Sequence, residues 1–63
     1  MGERAAEIVR GFREEIGFTQ AQLAAVLKIS QGNLSEIENG RSIPKRTAKK
    51  LAVLIEKPLE LFI

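Results

Sequence analysis

The chain contains no cysteine, histidine, aspartate, tyrosine or tryptophan. Each absence removes a class of answer. Without cysteine no disulfide can staple the domain, and the usual thiolate and imidazole ligands of a structural zinc site are missing. The lack of cysteine also suits a reducing compartment, so a cytoplasmic location is expected. Acid–base chemistry would fall to glutamate, lysine and threonine. The glutamates do not converge: Glu14 and Glu15 are adjacent and point to different sides of a helix. No catalytic residue, metal site or cofactor is assigned, and an enzyme is not expected. No apolar run approaches the ~18 residues of a membrane span. Charges interleaved through Met1–Arg13 do not make a signal-peptide pattern.

What is present is 63 residues, enough for one small domain with a lean core. The net charge is only +2. Its distribution is more informative, because Arg41, Lys45, Arg46, Lys49 and Lys50 crowd into one short stretch. The N-terminal part mixes Glu3, Glu7, Glu14 and Glu15 with Arg4, Arg10 and Arg13. A local basic patch is either a phosphate-contacting surface or a solvated helix face.

Apolar spacing predicts a first helix over Glu3–Ile16, with Ala5, Val9, Phe12 and Ile16 on one face. Gly11 lies inside it at a cost of about 1 kcal/mol against alanine, and close packing would be one reason to keep it. Gly17 is placed to end the helix. Thr19 and Gln22 form a T-x-x-Q capping box for a second helix over Gln20–Leu27, with Phe18 and Leu23 as the hydrophobic staple. Lys28, Ile29 and Ser30 form a tight turn. Such a turn commonly needs a positive φ, which costs lysine roughly 1 kcal/mol more than glycine. Ser30 caps a third helix over Gln31–Asn39 that Gly40 terminates. Leu34 and Ile37 face inward on it, and Gln31, Gly32, Asn33, Ser35 and Glu36 face outward. Pro44 opens a fourth helix that runs to Glu56, and Lys57–Pro58 breaks it. Leu59–Ile63 reads as one more helical turn that either closes the core or meets another subunit.

The run Arg13, Phe18-Thr19-Gln20, Leu23-Ala24, Ile29-Ser30, Leu34-Ser35, Ile37-Glu38-Asn39-Gly40-Arg41 and Pro44 resembles the Cro/phage-repressor type of helix-turn-helix domain, the Xre family. The likeness extends from about Val9 to Phe62. It implies an all-α fold, a compact lambda-repressor-like bundle of five short helices. It implies a sequence-specific regulator of transcription, repressor-like, that binds double-stranded DNA. The second helix would cross the backbone and the third would enter the major groove, N-terminal end inward. Such domains usually dimerise on palindromic operators.

By position, the resemblance sets Gln31, Gly32, Asn33 and Glu36 toward base edges. Amide side chains suit adenine, and Glu36 either accepts from cytosine N4 or discourages phosphates. Gln20, Ser35, Asn39, Arg41, Ser42, Lys45 and Arg46 fall to phosphates, with Lys49 extending the contact. Arg13 and Glu38 are implied to form a partly buried structural ion pair between the first and third helices. The chain departs from the family pattern at Lys28, where a small residue or glycine is usual. It departs again at Gly32, where a larger polar reader is common, and at Lys45, which replaces a small polar cap. The alternative on the same fold is a protein-interaction module, for instance the antitoxin partner of a toxin, with DNA binding secondary.

Overall fold

The computed structural model describes residues 2–63, with side chains from residue 4 onward. Helix α1 covers Gly2–Ile16, α2 Gln20–Leu27, α3 Gln31–Glu38 and α4 Lys45–Ile55. The fifth helix of the expected bundle is a 3₁₀ turn, Leu59–Leu61. Its bonds run from Leu61 N–H to the Pro58 carbonyl and from Phe62 N–H to the Leu59 carbonyl. The segment after Pro58 is too short for an α-helical ladder, and i→i+3 bonds take its place. No helix among the described residues is long and apolar enough to cross a membrane.

The helices end alike, and the endings set the angles between them. Gly17 has φ +79°. The Phe18 N–H reaches the Arg13 carbonyl at 2.9 Å and the Gly17 N–H reaches Glu14 at 3.2 Å, a Schellman pair. The same pattern closes α2 at Lys28, φ 59°, and α3 at Gly40, φ 101°. Helix α4 ends at Glu56 with φ 61°, one residue before the predicted stop becomes visible in Lys57–Pro58. A left-handed glutamate carries no local signal, so the sequence does not announce it. The capping box is present in full, with Gln22 N–H donating to Thr19 Oγ1 at 3.1 Å and Thr19 N–H donating to Gln22 Oε1 at 2.8 Å. Pro44 sits at the cap of α4 rather than inside its first turn, and no side chain among the described residues caps that end.

Val9, Leu23, Leu27, Leu34 and Leu51 are the largest fully buried side chains. Helix α3 packs on both α1 and α2, while α4 packs on α2 and the 3₁₀ turn. Burial of each large side chain is worth about 1.5–3 kcal/mol in transfer terms, which is what so small a domain has to work with. Phe62 is 2% exposed and belongs to the core, so the C-terminal segment closes the bundle. Phe18 packs against the same core, consistent with the staple. Ile16 departs from its predicted burial. It is 45% exposed and lines an open groove with Ile8, Phe12 and Ile55. A Cβ added at Gly11 would meet nothing within 4 Å among the described residues, so their packing does not require that glycine.

Candidate nucleic-acid interface

Helix α3 is held from one side and open on the other. Leu34, Ile37 and Glu38 are buried. Gln31, Gly32, Asn33 and Glu36 are exposed, and Ser35 is half-buried. The alternation follows from the helical period, because i, i+3 and i+4 share a face. At the tip, Ser30 Oγ accepts from the Asn33 N–H at 3.1 Å, which ties up one of the free donors of the first turn. Among the described residues, the Gln31 and Asn33 side-chain amides bond nothing in the protein. They are free to offer a donor and an acceptor each to an outside partner.

The buried side of α3 is organised by Glu38. Arg13 Nε donates to Glu38 Oε2 at 2.7 Å and Arg13 Nη2 donates to Oε1 at 3.1 Å. Arg13 Nη1 also donates to the Phe18 carbonyl at 3.0 Å. One guanidinium thus joins α1, the α1–α2 loop and α3. The bond to Glu38 raises the Arg13 pKa above its already high ordinary value, so the arginine stays cationic. Gln20 completes the set, with Nε2 donating to Glu38 Oε1 at 3.1 Å. The side chain expected at a phosphate is therefore half-buried and bonded inward. Nothing local in the sequence marks this contact, which spans α2 and α3.

The loop after α3 is tied to the helix it follows. Asn39 Nδ2 donates to the Ser35 carbonyl at 2.9 Å. Arg41 Nη1 pairs with Glu36 Oε1 in a contact where both side chains are more than half exposed. Ser42, Lys45 and Arg46 are exposed. A cleft of about 60 Å³ beside this loop is lined by Ile29, Asn33, Ile37, Arg41, Ser42 and Pro44, with Thr47 of α4.

The basic patch is smaller than the sequence suggests. Lys50 Nζ donates to the Leu27 carbonyl at 3.1 Å, so it closes the C-terminal end of α2. That role is favourable for a cation and carries no local signal in the sequence, because donor and acceptor lie on different helices. With Arg41 paired to Glu36, the cations among the described residues that have no protein partner in this stretch are Lys45, Arg46 and Lys49. Lys45 and Arg46 lie in the first turn of α4, where positive charge opposes the helix dipole.

A family model described as helix-turn-helix matches residues 9–62, nearly the whole chain. The chain is also 34% identical over 59 residues to the ImmF control region 10 kDa protein of Bacillus phage phi105. That alignment takes in 92% of this chain and 66% of the phage protein, so the chain spans just under two-thirds of its relative's length. No solved structure matches significantly. The capped α2, the Lys28 turn and the capped, outward-facing α3 are the parts this family is named for, and the chain belongs to the DNA-binding helix-turn-helix domains of the Xre, lambda-repressor type.

Proposed function

We propose that this protein is a sequence-specific, repressor-like transcriptional regulator that binds double-stranded DNA as a homodimer on a palindromic operator. One observation carries the reading: the first turn of α3 is capped by Ser30 and leaves the amides of Gln31 and Asn33 exposed and unbonded. In this account α3 lies in the major groove, N-terminal end inward. Gln31 and Asn33 meet base edges, with adenine N6 and N7 as the best-matched pair. Gly32 lets the helix backbone approach closely.

Lys45, Arg46 and Ser42 meet phosphates, with Ser35 and Asn39 beside them. These contacts set affinity and salt dependence, not sequence. Opposition between the α4 dipole and its first-turn cations is relieved when phosphates lie alongside. Gln20, drawn inward by Glu38, retains one free N–H for a phosphate. The name of the phage relative, a control region protein, supports a regulatory role.

Selection from random duplex DNA tests the proposal. The expected result is one short motif with half-sites about one helical turn apart. Failure of a folded protein to enrich any motif would overturn it.

A second reading has its own observation. Val26 and Val53 are 48% and 79% exposed, and with Leu54 and Lys49 they border an apolar groove of about 450 Å³. Under this reading the domain is an interaction module, such as an antitoxin. It predicts that Val53→Asp abolishes partner binding and that Gln31→Ala does not.

A further inference from the structure

Glu36 and Arg41 are joined twice. The Arg41 backbone N–H donates to the Glu36 carbonyl at 3.1 Å, as part of the ending of α3. The Arg41 guanidinium then donates through Nη1 to the Glu36 carboxylate. The side chains are 58% and 57% exposed, so this pair contributes little to folding. A guanidinium carries five N–H donors in a planar fork, and one bond to Glu36 leaves the others available.

Two features of α3 give the pair a direction. Glu36 follows Gly32 by one helical turn and lies on the same outward face. Among the described residues, a Cβ added at Gly32 would meet only Ser30 Oγ, at 4.0 Å, so their packing does not demand a glycine there. The face therefore presents free amides at Gln31 and Asn33, open space at Gly32, and a tethered guanidinium beside Glu36. An unpaired carboxylate on this surface would repel DNA phosphates. Paired with Arg41 it adds no net charge, and it restricts the arginine rotamers before any ligand arrives.

Resting on the reading that α3 enters the major groove, we propose that Glu36 is a positioning residue and that Arg41, which it holds, reads a guanine edge. Arg41 would donate to guanine O6 and N7 together, the contact for which a planar fork is suited. This moves Arg41 from the phosphate-contacting group to the base-reading group. It moves Glu36 in the opposite direction, from reader to support.

The test measures affinity for a selected duplex and for each of its single-base-pair variants. Wild type is compared with Arg41→Lys, Glu36→Ala and Glu36→Gln. Wild type should prefer guanine at one position of each half-site by roughly tenfold or more. Arg41→Lys keeps the charge but loses the fork, so it should flatten that preference and leave the salt dependence unchanged. Glu36→Ala should flatten the same position. Glu36→Gln retains an acceptor for Arg41 and should recover part of the preference. All three should melt within a few degrees of wild type.

Other patterns overturn the proposal. If Glu36→Ala flattens a position that Arg41→Lys leaves intact, Glu36 reads the base itself. If Arg41→Lys weakens all duplexes equally, Arg41 is a phosphate contact. If neither substitution alters any preference, the pair is an ordinary surface ion pair. A wild-type protein that prefers no sequence would overturn the major-groove reading as well; a wild-type preference untouched by these variants would overturn only this proposal.

Discussion

Glu36 and Glu38 stand two residues apart on α3, and each bonds an arginine from another part of the chain. Arg13 and Glu38 meet through two bonds with side-chain exposures of 15% and 4%, and Gln20 adds a third bond to the same carboxylate. Arg41 and Glu36 meet in solvent at 58% and 57% exposure. The difference comes from the helical period, which turns adjacent segments of one helix toward unlike surroundings. An ion pair's consequence depends on those surroundings. In the core, loss of one partner strands a charge. In water, loss of one partner is nearly free, and the pair's effect must be sought in what approaches from outside.

The largest expected effect is on the buried side. Glu38→Ala should cost about 3–5 kcal/mol in urea denaturation, enough to unfold much of so small a domain. Glu36→Ala should cost less than about 0.5 kcal/mol in the same assay. Equal losses would dissolve the contrast between the two pairs. Next come the exposed side chains proposed to read bases. Asn33→Ala should weaken discrimination between operator variants by roughly 1–3 kcal/mol with little change in stability, measured by duplex titration and urea unfolding side by side.

Lys45→Ala or Arg46→Ala should weaken binding to all sequences alike and lower the salt slope by about one. A sequence-dependent loss would transfer these residues to the reading group. Gly11→Ala and Gly32→Ala form a finer pair. Each should stabilise the fold by about 0.5–1 kcal/mol, because each replaces glycine within a helix where a Cβ has room. Only Gly32→Ala should also weaken DNA binding. Equal binding by both variants would remove the close-approach role of Gly32. Lys28→Gly is expected to be the smallest change, a gain of about 0.5 kcal/mol with operator preference unaltered. Relief of the left-handed strain is partly offset by the freer unfolded chain.

Local chemistry was legible in the sequence and distant chemistry was not. Thr19–Gln22, Ser30, Gly17 and Gly40 act on residues within a few positions, and their roles followed from spacing alone. The two-sided character of α3 followed from periodicity. The left-handed Glu56 is not legible, because a residue with a Cβ in that region leaves no compositional mark. Its place in the basic stretch groups Lys50 with the patch, while its acceptor, the Leu27 carbonyl, lies on another helix and leaves no trace in spacing. The resemblance sets Gln20 toward phosphate, whereas its bond to Glu38 forms only when α2 and α3 pack. The C-terminal segment had two open fates, and burial of Phe62 gives it to the core.

The outward tip of α3 is proposed to read sequence, while its inward face holds the fold. Selection from random duplex DNA, repeated with a Gln31→Ala/Asn33→Ala double variant, tests both halves together. The expected variant unfolds thermally as wild type does but enriches a degraded motif or none. A double variant that recovers the wild-type motif at full strength would contradict it.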